Sequence, residues 1–158
     1  MFFGVTFIAF FAPKTSDMSA FINIEDYDAS LHREILDSLT RGNDDIIEVC
    51  EDQAVAEMKG YLKSRYDVET IFGRRGADRH PLILMYAKDI AVYHIFCVHN
   101  PMKISEIRKS RYERAVEWLK MVSADEITID GADMLPEETL KENSRWQIHS
   151  NPLRPTHF

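Results

Sequence analysis

The most restrictive feature of the sequence is an apolar segment that covers residues 81–99. Its length would suit a membrane-spanning helix, but Lys88 and Asp89 lie near its middle. Each charged side chain costs roughly 2.5 to 3.5 kcal/mol at the centre of a bilayer. Pro81 suits the first turn of a helix, and Pro101 stops the pattern. The segment therefore predicts a helix that is buried on most sides at the centre of a bundle.

Apolar residues recur with helical spacing on both sides of this segment. Residues 31–39 carry a short stripe. Asp44 and Asp45 then open a long helix, where acidic side chains favour the positive end of the helix dipole; its stripe comprises Ile46, Ile47, Cys50, Ala54, Met58, Tyr61, Leu62 and Arg65. Ser105 begins a further helix, whose packing face comprises Tyr112, Ala115, Trp118, Leu119 and Val122. The sequence predicts an all-α bundle of about four helices, one long and one mostly buried.

Other parts of the chain lack helical periodicity. Residues 68–79 predict a loop, and residues 127–129 predict extended chain. Prolines predict an extended C-terminal arm over residues 136–158. Residues 1–17 are an apolar extension without the basic start of a signal peptide; they are either a buried strand or docking arm, or they precede a natural start at Met18. One helical domain over residues 18–135 is thus expected between the extension and the arm.

Charge is distributed unevenly along the 158 residues, whose net charge is −7. Residues 1–57 hold three basic and twelve acidic side chains, whereas residues 58–122 hold thirteen basic and seven acidic ones. The total excludes a generic nucleic-acid coat, which needs a cationic surface. The uneven distribution still permits a local basic patch, or the pairing of acidic and basic faces between copies of the chain.

The sequence carries no recognisable catalytic or metal-binding motif. It lacks E-x-x-H, H-E-x-x-H, G-x-x-x-x-G-K-[ST] and G-x-S-x-G patterns. His94, Cys97 and His99 cluster, but one helix face supplies only two ligands, so we interpret them as buried core residues. We interpret a set of acids on the long helix as a solvated face: Glu48, Glu51, Asp52 and Glu57. No enzyme activity and no cofactor are predicted.

Basic residues provide one functional signal. They concentrate where the last long helix begins, at Lys103, Arg108, Lys109, Arg111 and Arg114, and in the loop before the apolar helix, at Arg74, Arg75 and Arg79. Such a helix suits contact with phosphates, as in a helix-turn-helix reader. Alternatively, the residues are solvated or pair with Glu106, Glu113 and Glu117 on the same helix. Both interpretations remain open from composition alone.

The C-terminal arm combines bulky apolar and basic side chains without helical periodicity. We expect it to dock on another chain through a set of anchors: Arg145, Trp146, Leu153, Arg154, His157 and Phe158.

Four strings resemble, in order and spacing, a family of small helical proteins from the head–tail gene cluster of Mu-like phages and prophages. They are residues 61–67 (YLKSRYD), 89–93 (DIAVY), 111–119 (RYERAVEWL) and 150–158 (SNPLRPTHF). The core positions of these strings are Tyr61, Leu62, Arg65, Tyr66, Asp89, Tyr93, Tyr112, Ala115, Trp118 and Leu119. The similarity covers residues 20–158, and it departs at residues 123–126, where the family pattern leads us to expect a glycine.

The resemblance implies a head–tail connector, or head-completion protein, that assembles as a homo-oligomeric ring beneath the portal. Its implied partners are other copies, the portal and tail-side connector proteins, with non-specific DNA contact in the channel and no membrane. The implied location is the head–tail interface of the virion, after assembly in the bacterial cytoplasm. The alternative is a small helical DNA-binding or regulatory protein that uses residues 108–114. Arg65 is expected to cap the long helix or to bridge to Asp67.

Overall fold

The structure is a computed structural model that describes residues 21–28, 43–99 and 104–143, together with Leu36, Ser38, Thr40 and Met102. The predicted extension over residues 1–17 lies outside these residues, as do most of residues 31–39. Leu36 itself is buried, and its carbonyl accepts a hydrogen bond from the Thr40 hydroxyl at 3.1 Å.

The described residues form an all-α fold, which confirms the predicted class. Within residues 43–99 and 104–143 there are five α-helices: α1 (Asp44–Leu62), α2 (Val68–Gly73), α3 (Pro81–His99), α4 (Glu106–Ser123) and α5 (Glu137–Asn143). Short 3₁₀ helices cover Ile24–Tyr27 and Gly76–Asp78. Within the described ranges there is no strand, and a single β-bridge joins Tyr66 and Met134. Residues 127–129, where extended chain was expected, lie outside the helices.

Side-chain caps explain where the helices begin. The Asn43 side chain accepts a hydrogen bond from the backbone N–H of Asp45 at 3.1 Å. The Ser105 hydroxyl accepts a hydrogen bond from the backbone N–H of Arg108 at 3.4 Å. Such caps satisfy N–H groups that have no partner within the helix. The predicted starts of α1 and α4 are therefore confirmed.

Helix α3 is the centre of the bundle and packs against both α1 and α4. Ring contacts fix an antiparallel α3–α4 pair, since Tyr86 stacks on Trp118 with centroids 4.6 Å apart and Tyr93 stacks on Tyr112 at 4.0 Å. Buried residues of α3 face several directions: Ile83, Tyr86, Ala87, Ile90, Ala91, Val92, Ile95 and Phe96. By length and composition α3 would suffice to cross a membrane, and half of its apolar window is buried inside the protein.

The prediction of a loop over residues 68–79 is wrong for its first half, which forms α2. Asp67 caps this helix by accepting hydrogen bonds from the backbone N–H of Thr70 at 3.1 Å and from its hydroxyl at 2.7 Å. Ile71 and Phe72 are buried, and the ring of Phe21 meets Phe72 edge-on at 4.9 Å. The helix has too few turns to show a periodic stripe.

The predicted extended arm is likewise wrong for Glu137–Asn143, which form α5. Pro136 accepts a backbone hydrogen bond from Leu140 at 3.0 Å, and Glu137 and Glu138 occupy the first turn. Acidic side chains are favourable there because of the helix dipole. The arm anchors beyond residue 143 lie outside the described residues.

Helix α4 ends in a left-handed turn at Asp125, where φ is 67°. The N–H of Glu126 bonds to the carbonyl of Met121 at 3.0 Å, and the N–H of Asp125 bonds to that of Val122 at 3.2 Å. This is the Schellman arrangement, which usually places glycine at the left-handed position. An aspartate thus occupies the place where a glycine was expected.

Candidate interaction surface

The exposed side of α4 carries the basic strip (Arg108, Lys109, Arg111 and Arg114). Arg111 and Arg114 reach across to α3, where their guanidinium nitrogens lie 3.5 and 3.6 Å from the two carboxylate oxygens of Asp89. The Asp89 side chain is only 9% exposed, whereas both arginines extend towards solvent. Asp89, which looked costly within an apolar helix, therefore serves as the anion that positions two arginines.

The other two members of the basic strip have different surroundings. The Arg108 guanidinium lies 4.7 Å from the centroid of the Phe96 ring, a cation–π arrangement. Burial, together with the charge of Arg111, lowers the pKa of Arg108. Lys109 lies 4.0 Å from Glu113 on its own helix. The expected pairing within the helix accounts for Lys109, but Arg111 and Arg114 pair with α3.

Next to the basic strip is the apolar corner (Val98, Met102 and Ile107), where α3 ends and α4 begins. These side chains are 60%, 93% and 72% exposed. Exposed apolar groups rimmed by polar ones are typical of interaction sites, and methionine and arginine are enriched in protein interfaces. The basic strip and the apolar corner together form the candidate interaction surface.

A partly buried polar cluster holds α4 in place beneath this surface. Glu57 of α1 lies 3.2 Å from His94 Nε2 of α3, and it accepts a hydrogen bond from the Tyr112 hydroxyl of α4 at 3.2 Å. Burial, followed by the Glu57 charge, raises the pKa of Tyr112 to about 12. The interpretation of Glu57 as part of a solvated face is therefore wrong, because one carboxylate joins three helices.

The interpretation of Glu51 as part of a solvated face is also wrong, because this carboxylate of α1 is buried. Glu48 and Asp52 are exposed, as that interpretation expects. The histidine and cysteine cluster does not gather a metal site among the described residues, where no group of three candidate ligands was found. Cys97 instead contacts Tyr93, raising the pKa of that tyrosine chiefly through a side-chain hydrogen bond.

Two of the three loop arginines that were candidates for phosphate contact, Arg74 and Arg79, pair with carboxylates of the same fold. Both terminal nitrogens of Arg79 bond to the Asp26 carboxylate, at 2.5 and 2.9 Å, and the same side chain donates to the Phe21 carbonyl at 2.8 Å. Arg74 pairs with Asp133 at 2.7 Å. Arg79 thereby fastens the segment of residues 21–28 to the bundle.

Two opposing effects act on the pKa of Asp26. Burial opposes ionisation of the carboxyl and, taken alone, raises its pKa. The hydrogen bonds from Arg79 and the backbone of Asn23, with the charges of Arg79 and Lys88, outweigh burial, and the net shift is downwards.

The resembling strings supply much of the core. Leu62, Tyr66, Ala115, Trp118 and Leu119 are buried, and Tyr61 packs partly buried against them.

Two contacts tie the end of α1 to the chain after α4. The Tyr66 hydroxyl accepts a hydrogen bond from the backbone of Ile129 at 2.8 Å. Arg65 pairs with Asp125, so the expected bridge to Asp67 is wrong. Asp67 caps α2 instead.

Several predicted site residues fall outside the part of the chain that the structure describes. They are Lys103 and the arm anchors Arg145, Trp146, Leu153, Arg154, His157 and Phe158. Conversely, sequence reasoning overlooked the roles of Glu51, Glu57 and Arg79. Glu57 carried a usable signal, because it falls three residues after Ala54 and one before Met58 on the edge of the apolar stripe. The partners of Glu51 and Arg79 are remote in sequence and left no such signal.

Residues 19–148 match the family described as Bacteriophage Mu, Gp36. The chain belongs to the bacteriophage Mu Gp36 family. Comparison of the chain with curated proteins and with solved structures found no match. Membership of the Gp36 family indicates a structural or assembly protein of a Mu-like phage, present in the virion or in the phage-infected cell.

The matched region of this Gp36-family protein contains every element described above, beginning with the segment of residues 21–28 and ending with α5. It also contains the basic strip and the apolar corner.

Proposed function

We propose that this protein is a head–tail connector, or head-completion, subunit that forms a homo-oligomeric ring below the portal and joins the head to the tail. Its role is structural, with no catalysis and no cofactor. It acts at the head–tail interface of the virion after assembly in the bacterial cytoplasm. Its partners are further copies of itself, the portal and tail-side connector proteins, and it does not act at a membrane.

The observation that carries this proposal is the apolar corner beside the basic strip. Met102 and Ile107 are 93% and 72% exposed, which exposes large apolar side chains to water in a lone subunit. Burying these side chains against another protein is favourable, by roughly 25 cal/mol for each Å² of apolar surface that is removed from water. The neighbouring arginines provide the polar rim of such an interface.

The structure beneath this surface suits a rigid building block. Glu57 ties α1, α3 and α4 together through His94 and Tyr112. The stacked rings of Tyr93 and Tyr112 reinforce the same layer. A surface held in this way presents the same shape to each neighbour, as identical contacts around a ring require.

The alternative is a small DNA-binding or regulatory protein that reads DNA through residues 108–114. Two observations weigh against it. Asp89 lies within 3.6 Å of both Arg111 and Arg114, so it reduces the charge available for phosphates. The net charge of −7 also opposes binding to a polyanion. Non-specific contact with DNA inside a channel remains compatible with the proposal, because it requires only local positive charge.

The decisive experiment measures the assembly of the purified full chain, alone and with portal, by light scattering and electron microscopy. We expect rings, or a complex with portal, of many times the 18.4 kDa chain mass. The double variant Met102→Ser/Ile107→Ser should remain folded but lose this assembly. Met134→Ser, at another exposed methionine, is the matched control and should assemble normally.

A monomer or dimer that binds duplex DNA at low salt and does not bind portal would contradict the connector proposal. It would favour the alternative, a small DNA-binding or regulatory protein. In phage, the Met102→Ser/Ile107→Ser variant should leave unjoined heads and tails. Deletion of residues 144–158 should have the same effect with a nearly unchanged circular dichroism spectrum, because the arm is expected to dock on a neighbour. Normal yields of infectious particles from the deletion would exclude the arm as the joining device.

A further inference from the structure

A cavity of about 300 Å³ lies between the segment of residues 21–28 and the first half of α1. Its apolar walls come from Ile22, Ile24 and Ile47. This volume is at the small end of ligand pockets. The cavity therefore suits one long side chain better than a large ligand.

Three carboxylates complete the cavity, which we call the acidic pocket. Glu25 and Glu48 are exposed at its edge, and Glu51 is only 7% exposed. Oε1 of Glu51 is buried without a hydrogen-bond partner in the described structure. Buried carboxylates are normally paired or hydrogen-bonded because an isolated buried charge is costly. Within the described part of the chain, Glu51 thus lacks the cation that its position calls for.

The surroundings of Glu51 support this view. Burial raises its pKa to about 7, and the charges of Asp52, Glu48 and Asp26 add to the increase. The hydroxyl of Tyr27 lies beside the carboxylate and partly offsets the effect. A cation that entered the pocket would meet negative potential from several carboxylates at once.

The chemistry of the pocket favours the side chain of arginine or lysine over a metal ion. No group of three potential metal ligands was found within the described ranges, so these carboxylates do not converge as a coordination shell. An arginine or lysine, by contrast, packs its aliphatic stem on apolar walls while its charged end meets a carboxylate. The isoleucines and Glu51 offer both surfaces.

Among the residues that the structure describes, no cation of the same chain supplies this group. Arg79 donates hydrogen bonds to the Asp26 carboxylate. Nζ of Lys88 donates a hydrogen bond to the backbone carbonyl of Asp26 at 3.1 Å. The basic strip lies against α3, where Arg111 and Arg114 contact Asp89. None of the ion pairs among the described residues involves Glu25, Glu48 or Glu51.

We propose that the acidic pocket receives an arginine from the basic strip of a second copy of this chain. Arg111 and Arg114 are the donors, because their side chains are 48% and 57% exposed and their contacts with Asp89 are long for hydrogen bonds. This contact rests on the proposed ring and specifies how neighbouring subunits meet. We take the contact to run head to tail, from the strip of one subunit to the pocket of the next, because such heterologous contacts generate a ring when the rotation between subunits closes.

The test compares the oligomers of three full-length proteins by light scattering across a dilution series. Glu51→Gln keeps the shape of the side chain and removes its charge, and it should raise the concentration at which the oligomer dissociates by at least about tenfold. Arg111→Gln/Arg114→Gln removes the donors from the other side and should do the same. Glu126→Gln, at an exposed carboxylate outside the pocket, is the matched control and should dissociate like wild type.

Mixing the two defective proteins tests the direction of the contact. The Glu51→Gln protein retains a working strip, and the Arg111→Gln/Arg114→Gln protein retains a working pocket. The strip of the first protein can therefore bind the pocket of the second. Neither protein has the second surface that is needed to add a third subunit. We expect a one-to-one complex with twice the 18.4 kDa chain mass, at concentrations where each protein alone is monomeric.

The outcomes separate this inference from the proposed function. Rings that survive in both variants at the wild-type dissociation concentration would overturn the pocket contact and leave the connector proposal intact. Wild-type protein that never associates with itself would overturn both. If either variant fails to fold, Asp89→Asn/Arg111→Gln/Arg114→Gln still decides, because it removes both arginines without leaving a charged Asp89 unpaired.

Discussion

Replacing Glu51 with glutamine should stabilise the isolated subunit at high pH, although it is expected to weaken assembly. In the folded chain burial raises the pKa of this carboxyl from its ordinary 4.5 to about 7. The folded state therefore binds the proton more tightly than the unfolded state does. The free energy of unfolding consequently falls as the pH rises from about 4.5 to about 7, and it stays reduced above that range.

The size of the effect follows from the shift in pKa. Each unit corresponds to about 1.4 kcal/mol, so ionised Glu51 lowers the free energy of unfolding by about 3 kcal/mol above neutral pH. Glutamine cannot ionise and avoids this cost. Glu51→Gln should therefore exceed wild type by about 3 kcal/mol at about pH 8, and the difference should vanish at about pH 4.

The assay is urea unfolding followed by circular dichroism, at dilutions where light scattering shows monomers. Comparing the two proteins at each pH isolates Glu51, because the other carboxyl groups titrate in both. The control Glu126→Gln should follow the wild-type curve throughout. Equal or lower stability of Glu51→Gln at high pH, or a difference that does not change with pH, would refute the claim that Glu51 is an uncompensated buried acid.

Three further substitutions test the packing by denaturant unfolding. Trp118→Ala should cost about 3 to 5 kcal/mol because the ring is buried, whereas exposed Lys120→Ala should change stability by less than about 0.5 kcal/mol; equal midpoints would show the assigned packing face to be wrong. Arg79→Met should cost about 3 kcal/mol or more, since it leaves Asp26 without its buried partner, and a loss below about 1 kcal/mol would contradict that role. Asp125→Gly should be more stable than Asp125→Ala by about 1 kcal/mol because φ is 67°, and equal values would show that the left-handed turn is not retained.

The helices that could be predicted are those whose signals lie close together in sequence. Ser105 and Asp44 mark helix starts within one turn of the caps that the structure contains. The stripe that includes Ala115 and Trp118 repeats often enough to define a buried face. Short elements escaped prediction because α2 and α5 have too few turns for a stripe of apolar residues to repeat, and Asp67, the cap of α2, resembles an ordinary loop residue.

The candidate interaction surface was only partly accessible to sequence reasoning. The cluster of basic residues around Arg111 was evident from composition. Its pairing with Asp89 was not, because the two residues belong to different helices and meet only when α3 and α4 pack antiparallel. Side chains with long-range partners look the same in sequence as solvated ones.

The sequence by itself determined the all-α class, the central position of α3 and the faces of α1 and α4 that enter the core. These properties follow from the spacing of apolar residues, which acts over a few helical turns. Only the tertiary structure decided which charges are used inside the fold. Packing buried Glu51, placed Glu57 between three helices and joined Arg79 to Asp26, since burial and the approach of a distant partner depend on how whole helices are placed.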